Sequence, residues 1–531
     1  MKNNLQLIFI LFAVRGFLPP VSCAQIPSWA WAKQAGTNMN VEAFSVTADA
    51  SGNSYVMGMF AGTSITFGST TLNALVGSTV TGDIFLVKYN AIGGVVWAKN
   101  AGGKDWDQGE SVASDGFGNL YMAGWYWSDT IIFGSDTLIN AGVSGYPIGT
   151  TDMFIAKYDT AGNILWAKRA GGTLGDSALS VTADAFGNVY VVGSFKSSSI
   201  TFGSTTLTNA GGNYAMFIVK YDANGNVLWA KSAGGNNPDC PASVSSDASG
   251  NVYVAGTFRS SSITFGSTTL TNTNSGWAEI FIVKYDASGN ALWAKSASGI
   301  TGDYATSVSC DAFGNVYMAG YSYSSSITFA SITLPHINAS DIFIVKYDTL
   351  GNVLWAQRAG GGGNNDAAWS MVVDNSGNIY LTGEFSSNTI IFGSTILSSP
   401  NNSADIFVVK YDSSGSVIWA IRVGGNDADI PKSIVADASG YVYVAGYFES
   451  PSISFDATTL STSAQIHKMF IAKLGIVTGV NEFINKEEIN IYPNPTGGVF
   501  NLKMGQFENL KMKSIEIYNV YGEKIFYNNH F

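Results

Sequence analysis

Acidic residues recur along this sequence at nearly constant spacing, and an array of carboxylates of this kind could bind a cation. One acid stands ten or eleven residues after each Trp-Ala pair, ahead of the next Ser-Val or similar pair. Seven such carboxylates around one opening would suit Ca²⁺, which prefers oxygen ligands. We favour the alternative, in which each acid caps its own loop or accepts hydrogen bonds from N–H groups of the next repeat, because a structural role recurs with the fold. The seven acids are Glu42, Asp107, Asp176, Asp239, Asp303, Asp366 and Asp429.

A second set of residues is distinguished by not repeating. A catalytic or specific binding site needs residues that only one or a few repeats carry, and two aromatic clusters meet this condition. Such rings suit sugar or protein binding, and they equally suit packing between strands. Asp105 and Glu110 lie near the first cluster, and polysaccharide cleavage needs paired carboxylates. The aromatic residues are Trp106, Trp125, Tyr126, Trp127, Tyr321 and Tyr323.

Composition disfavours several other chemistries. The three histidines do not occupy equivalent repeat positions, which argues against a histidine-based triad or metal cluster. Arg169, Arg358 and Arg422 each follow a Trp-Ala pair, so we do not expect arginines to converge on one carboxylate ligand. The net charge of −11 argues against partners such as nucleic acid or an anionic membrane. We therefore expect no cofactor, with Ca²⁺ as the one candidate ion.

The Trp-Ala pair marks a repeat of about 65 residues. Each copy contains a Ser-Val segment, a Tyr-containing segment, a Ser/Thr-rich excursion that predicts a small hairpin, a segment such as IFIVKY, and the Trp-Ala segment. The segments are short, rich in Val, Ile, Thr and aromatic residues, and bounded by Gly, Asn and Asp, which is typical of β-strands. None has a sustained helical period. The tryptophans are Trp31, Trp97, Trp166, Trp229, Trp293, Trp355 and Trp419.

An Asp-x-x-Gly-Asn turn, or a close variant, occurs twice in most copies, and we expect it to be structural. Its glycine supplies the positive φ that a tight hairpin needs, and its aspartate can accept hydrogen bonds from nearby backbone N–H groups. In the first turn of each repeat the aspartates are Asp49, Asp115, Asp184, Asp247, Asp311, Asp374 and Asp437.

The two ends of the repeat array complement each other. The first recognisable strand, around Trp31, is of the type that ends a repeat, whereas the last repeat stops near Phe470 without one. We therefore predict an all-β fold, a seven-bladed β-propeller over residues 25–475, closed by the N-terminal strand so that no sheet edge stays open. The Ser-Val strand would be innermost and the Trp-Ala strand outermost. Each tryptophan would be buried between blades and contribute about 2 to 3 kcal/mol.

The combined patterns D-x-x-GN-[VI]-Y-[VLM]-x-G and D-[IM]-F-[IVL]-[VA]-K-Y-[DN]-x-x-G-x-[VIA]-[LIV]-WA resemble the SBBP family of bacterial β-propeller repeats. The resemblance covers most of residues 25–475. It implies a seven-bladed propeller, and it supplies no catalytic residues to transfer to this sequence.

The periodicity ends after the propeller. Residues 476–488 are predicted to be a linker. Residues 489–531 contain YPNP at 492–495 and a strand-and-turn pattern at 515–522, which resembles the type A sorting domain of the type IX secretion system of Bacteroidetes. The family pattern continues with a G-x-Y strand and a basic strand that are not seen here, so we expect a partial, β-sandwich-like domain. The resemblance implies recognition by the type IX secretion machinery.

The N-terminus has the pattern of a secretory signal peptide over residues 1–24. Lys2 precedes an apolar run, and small residues around Cys23 suit cleavage. The run is too short to span a bilayer and no later run is longer, so we expect no transmembrane segment. A lipidated Cys23 is the alternative. Export would permit a bridge between Cys240 and Cys310, but their different repeat positions favour two free thiols.

These observations predict a secreted or cell-surface propeller that acts without enzymatic activity as a binding module for an extracellular glycan or protein. The alternative is a carbohydrate-active hydrolase or lyase with its carboxylates on one face of the propeller. Two carboxylates that the sevenfold pattern does not explain, placed in a cleft with aromatic residues, would favour the enzyme.

Overall fold

A computed structural model of the chain describes residues 27–75, 82–142, 150–274, 276–335, 339–362, 364–401, 403–463 and 466–475, together with the backbone of four short strands in the tail. Residues Pro27–Gly475 form one compact unit. The predicted signal peptide and linker lie outside the described residues. Along the described chain, no helix has the length and apolar character that a membrane crossing requires.

The compact unit is a seven-bladed β-propeller, which confirms the predicted fold. Each blade is built on four antiparallel strands with a two-stranded hairpin between its second and third strands. The hairpin of blade six also pairs with the outermost strand of blade five. From blade one to blade seven, the innermost strands are Val41–Ala48, Asp107–Ser114, Asp176–Ala183, Asp239–Ser246, Asp303–Cys310, Asp366–Val373 and Asp429–Ala436. The second strands are Ser54–Ala61, Leu120–Tyr126, Val189–Phe195, Val252–Phe258, Val316–Ser322, Ile379–Phe385 and Val442–Phe448.

The third strands, in the same order, are Gly82–Tyr89, Asp152–Tyr158, Ala215–Tyr221, Glu279–Tyr285, Asp341–Tyr347, Asp405–Tyr411 and Lys468–Gly475. The outermost strands are Val95–Ala101, Ile164–Ala170, Val227–Ala233, Ala291–Ala297, Val353–Gly361, Val417–Val423 and Ser28–Ala35. The side hairpins pair Ser64–Phe67 with Thr70–Asn73, Thr130–Phe133 with Asp136–Ile139, Ser199–Phe202 with Thr205–Thr208, Ser262–Phe265 with Thr268–Thr271, Ser326–Phe329 with Ile332–Pro335, Thr389–Phe392 with Thr395–Ser398, and Ser452–Phe455 with Thr458–Ser461.

The N-terminal strand closes the ring. Ser28–Ala35 pairs antiparallel with Lys468–Gly475, with Trp31 opposite Lys473 and Gln34 opposite Phe470. The seventh blade therefore takes its outermost strand from the N-terminal part of the propeller. This confirms the prediction that the strand around Trp31 supplies the strand that the last repeat lacks.

A ring of seven hydrogen bonds explains why a serine followed by an apolar residue recurs in every repeat. In each innermost strand the serine hydroxyl accepts a hydrogen bond from the backbone N–H of the residue after the equivalent serine in the next blade. The ring is complete because blade seven bonds to blade one. The pairs are Ser45–Val112, Ser111–Val181, Ser180–Val244, Ser243–Val308, Ser307–Met371, Ser370–Ile434 and Ser433–Val46.

The Trp-Ala tryptophans lie between blades, as predicted, and they also form a polar contact across the interface. Trp229 Nε1 donates to the carbonyl of Ala287, in the outer turn of the next blade, at 3.1 Å. Its ring lies against Gly289, where a Cβ would come within 2.8 Å of the indole. Trp419 is buried, but the other six are only half-buried. The expected 2 to 3 kcal/mol from full burial is therefore an overestimate for those six.

The Asp-x-x-Gly-Asn turns have the predicted form. In blade four, Asp247 Oδ1 accepts from the N–H groups of Ser249 and Asn251, both at 2.9 Å, and its Oδ2 accepts from the Tyr253 hydroxyl at 3.2 Å. Gly250 has φ of 78°, a conformation that a side chain disfavours. These turns lie at the end of the propeller where the innermost strands finish. The innermost strands start at the opposite end.

The described tail residues form two antiparallel pairs, Ile489–Tyr492 with Asn501–Met504 and Ile515–Tyr518 with Lys524–Asn528. In the propeller, Cys240 and Cys310 are free thiols.

Candidate functional site

Six of the seven predicted acids are buried and do not form a ring of exposed carboxylates. We call each of these aspartates, together with the serine that donates to it, a clamp. Each aspartate is fully buried at the first position of its innermost strand. Asp239 Oδ2 accepts from the Ser260 hydroxyl at 2.6 Å and from the Gly235 N–H at 2.8 Å, and Oδ1 accepts from the N–H groups of Arg259 and Ser260. The same clamp joins Asp107 to Ser128, Asp176 to Ser197, Asp303 to Ser324, Asp366 to Ser387 and Asp429 to Ser450.

Burial carries an electrostatic cost for these acids. It raises the pKa of Asp239, although the hydrogen bonds from Ser260 and Gly235 offset part of the rise. It raises the pKa of Asp107 to about 8. No group of three or more candidate ligands is placed to hold a metal ion within the described ranges. This geometry corresponds to the structural interpretation, in which each acid caps its own loop.

Glu42 is not equivalent to the six aspartates. Val41 and Gly62 occupy the clamp positions of blade one, and Glu42 lies one residue further along the strand, opposite Met59. Its Oε1 lies 2.6 Å from His467 Nδ1, and His467 Nε2 lies 2.8 Å from Glu449 Oε1. The sequence alignment of Glu42 with the aspartates was therefore wrong by one position.

Every innermost strand carries a β-bulge one residue before the ring serine, and the bulged residue differs in every blade. A bulge leaves one residue unpaired and re-aims its side chain. The strand partners confirm that this residue is skipped in all seven blades. The bulged residues are Phe44, Glu110, Leu179, Ala242, Thr306, Trp369 and Lys432.

The bulges direct side chains into the channel near the start of the innermost strands, an end that we call the channel mouth. The Lys432 ammonium of blade seven lies 4.8 Å from the ring centroid of Trp369 in blade six and 5.6 Å from that of Tyr447. Its charge also acts on Glu110 of blade two. Blades two and seven are not neighbours in the ring, so this effect of Lys432 on the pKa of Glu110 extends beyond the adjacent blade.

A continuous aromatic cluster extends from Trp369 into blade five. Tyr321 lies 6.1 Å from Trp369, stacks on Tyr304 at 5.2 Å and meets Tyr323 edge-on at 5.8 Å, measured between ring centroids. Arg259 Nη2 donates to the Tyr304 hydroxyl at 3.3 Å. Tyr323 is partly exposed, so the cluster reaches solvent.

Glu110 and Glu384 are carboxylates of the mouth that lie outside the clamp set. Glu110 Oε1 accepts from Trp125 Nε1 and from Gln108 Nε2, each at 2.8 Å. Burial raises the pKa of Glu110, and the Trp125 hydrogen bond offsets part of the rise. Burial likewise raises the pKa of Glu384, with Lys432 opposing it. Both acids therefore favour the protonated form more than a free glutamate does.

The third polar group of the mouth is centred on His467. Its ring stacks on Tyr447, with centroids 4.5 Å apart and planes 11° apart. Hydrogen bonding to Glu42 and the charge of Glu449 raise the pKa of His467 above its ordinary value, although burial opposes them. The group joins blade seven to blade one at the point of ring closure.

The structure brings most of the predicted aromatic patch to the mouth in two groups. Trp125 and Trp127 lie 5.5 Å apart by ring centroid in blade two, and Trp106 lines a cavity there. Tyr321 and Tyr323 belong to the blade-five cluster. Tyr126 does not belong to the mouth, because it is fully buried in the core that blades one and two share.

Sequence reasoning missed the residues that connect these groups. Trp369 and Lys432 lie directly before the ring serine, and Glu384 and Tyr447 lie directly after the recurring glycine of the second strand, where an alignment of the repeats could have exposed them. Tyr304 and His467 occupy neither position. The missed residues are Tyr304, Trp369, Glu384, Lys432, Tyr447 and His467.

The arginines behave as expected. Arg169, Arg358 and Arg422 each form an ion pair with an aspartate of the third strand in the same blade, respectively Asp152, Asp341 and Asp405. They therefore stay on the outer strands and do not converge on the axis.

Fold and site define the protein as a seven-bladed β-propeller whose channel mouth departs from the sevenfold repeat. Residues 418–447 match the model of the beta-propeller repeat family SBBP, and residues 490–531 match that of the secretion system C-terminal sorting domain. The chain thus contains an SBBP-type repeat within its seven-bladed propeller and a type IX sorting domain after it. Such a domain directs the protein to the cell surface or the extracellular space.

The chain is similar to two proteins of known sequence. It is 25% identical over 462 residues to an uncharacterized WD repeat-containing protein, L264, of Acanthamoeba polyphaga mimivirus, covering 71% of this chain and 33% of that protein. It is 30% identical over 151 residues to the regulatory protein FlaEY of Caulobacter vibrioides, covering 28% and 15%. The matches thus span a third or less of the length of these relatives.

Solved structures that the chain matches include a gluconolactonase from Xanthomonas campestris, with 9% identity and a TM-score of 0.31 over 62% of this chain and 82% of that one. Sqt1 from Chaetomium thermophilum has 9% identity and a TM-score of 0.37 over 83% and 87%. At these TM-scores neither similarity bears on function.

Proposed function

We propose that the protein is a secreted, non-catalytic module that binds an extracellular glycan across the mouth of its propeller channel. The observation that carries the proposal is the concentration of aromatic rings, carboxylates and a lysine at the few strand positions where the repeat varies. A purely structural ring would repeat these positions as it repeats the serine and the clamp.

The chemistry of the mouth suits a sugar. The apolar face of a pyranose stacks on aromatic rings, and its hydroxyls need donors and acceptors that are fixed in position. Tyr321 and Trp369 offer rings, whereas Lys432, Glu110 and Glu384 offer both kinds of polar group. The positive charge of Lys432 is opposed by the carboxyl groups of Glu110 and Glu384. The region therefore does not favour strongly charged ligands.

Binding of the full-length protein to an array of oligosaccharides tests the proposal. Trp369→Ala and Tyr321→Ala should each weaken the best ligand at least tenfold. Phe313→Ala is the matched control, because Phe313 is 74% exposed on a turn at the opposite end of the channel. If all three variants bind equally, or if no oligosaccharide binds, the proposal fails.

A glycan-cleaving hydrolase is the second candidate, and one observation favours it. Glu110 and Glu384 both lie outside the clamp set, and burial raises the pKa of both. A general acid in a glycosidase needs such a raised pKa, together with a second carboxylate. If wild type releases reducing ends from a bound glycan, and Glu110→Gln or Glu384→Gln stops the release but not the binding, the protein is an enzyme.

A further inference from the structure

Blade one lacks the clamp of the other six blades, and a cavity lies beside its innermost strand. With Val41 and Gly62 in the clamp positions, this blade has neither the aspartate nor the serine that fills the corner elsewhere. A cavity of about 500 Å³ lies between the start of this innermost strand and blade two, lined by Glu42 and Phe44 but not by Val41 or Gly62. This volume is within the range of about 300 to 1,000 Å³ typical of small-molecule sites.

The lining combines one broad aromatic face with short polar groups. Trp106 is held by its own backbone, since its carbonyl accepts from the Trp127 N–H at 2.9 Å. Phe44, the bulged residue of blade one, and Met59 add apolar surface. The polar lining comes from Asn38, Asn40, Glu42 and Gln108.

The charges around the cavity favour a neutral ligand. None of its lining residues is a lysine or arginine in the part of the chain that is described, which disfavours an anion. Glu42 is paired with His467 at 2.6 Å, which reduces its pull on a cation. The amides of Asn38, Asn40 and Gln108 can donate to and accept from hydroxyl groups.

We infer that this cavity, the blade-one pocket, holds one neutral pyranose unit of the bound glycan, with its apolar face on Trp106. The inference rests on the proposed function, because the pocket opens beside the same mouth. Gln108 links the two regions directly, since its side chain lines the pocket and donates to Glu110 at 2.8 Å.

Saturation-transfer NMR on the full-length protein, with methyl hexosides as probes, tests the pocket. Neutral methyl hexosides should bind, and methyl glucuronide and glucosamine should bind at least tenfold more weakly. Trp106→Ala should abolish the signal, whereas Trp106→Phe should keep part of it. Asn38→Trp, a change at an exposed loop position that blocks the opening, should also abolish binding without lowering the melting temperature.

The outcomes separate this inference from the proposed function. If oligosaccharides bind and depend on Trp369 but not on Trp106, the pocket is refuted and the proposed function stands. If hexosides bind through Trp106 while no oligosaccharide depends on Trp369, the pocket stands and the proposed function fails. Equal binding of the charged sugars refutes the neutral specificity.

Discussion

Removal of the blade-four clamp is the sharpest test of whether the recurring acids are structural. In Asp239→Ala, the N–H groups of Gly235 and Ser260 lose their acceptor. The Arg259 N–H keeps the Pro238 carbonyl at 3.2 Å, and the Ser260 hydroxyl can still donate to the Asn237 carbonyl, 3.1 Å away. A buried donor without a partner costs about 1 to 3 kcal/mol. Because burial raises the pKa of Asp239, the carboxylate itself is imperfectly compensated, and we expect a loss near the lower limit for two such donors, about 2 kcal/mol in all.

The free energy of unfolding, measured with urea at neutral pH, gives the result. Asp286→Ala is the matched control, because Asp286 makes similar bonds to Ser288 and Asn290 in an exposed turn of the same blade. Water can replace its bonds, so its loss should stay below about 1 kcal/mol. Equal losses in the two variants would refute the clamp. Stabilisation of wild type by millimolar Ca²⁺ that disappears in Asp239→Ala would instead support a cation site.

Three further predictions concern the closed ring. Trp229→Phe keeps the ring packing but loses the hydrogen bond to Ala287, so urea unfolding should show a loss of about 1 kcal/mol, whereas Trp277→Phe, in an exposed loop position, should be neutral. Deletion of residues 28–35 opens the edge of the last strand, and the protein should elute as aggregates in gel filtration; native elution would contradict closure by this strand. The pKa of His467 is raised in the folded state, so its stabilising effect is complete below its ordinary pKa and is lost as pH rises through the folded value. Glu42→Gln should reduce that pH-dependent loss in thermal melts, and an unchanged pH profile would count against the Glu42–His467 contact.

The fold could be predicted from the sequence because the strand patterns within each repeat and the two ends of the repeat array all indicate a closed propeller. The third strands are apolar on both faces, so each blade must be covered by another blade on each side. The strand around Trp31 completes a blade only if it pairs with the strand that contains Phe470. The recurring serines could be assigned to the innermost strand, but their bonds to the neighbouring blade could not be seen, because those bonds depend on how the blades are spaced around the axis.

The site was only partly predictable, for physical reasons that the residues make clear. An acid near the start of a strand is equally consistent with an exposed ring and a buried clamp, because spacing does not fix side-chain direction. The partner serine stands 21 residues after each clamp aspartate, as in Asp239 and Ser260, and this pattern would have favoured the clamp. The bulge that turns Trp369 and Lys432 into the channel has no signal in a single copy of the repeat.

The most direct test of the central claim is to locate a bound ligand on the protein. Hydroxyl-radical footprinting of the full-length chain, with and without the best oligosaccharide from the array, measures which side chains the ligand shields. We predict protection of Tyr321, Tyr323 and Trp369, and no change at Phe313 on the opposite face. Protection confined to Phe313 and the turns around it, with the mouth unchanged, would contradict the assignment of function to the channel mouth.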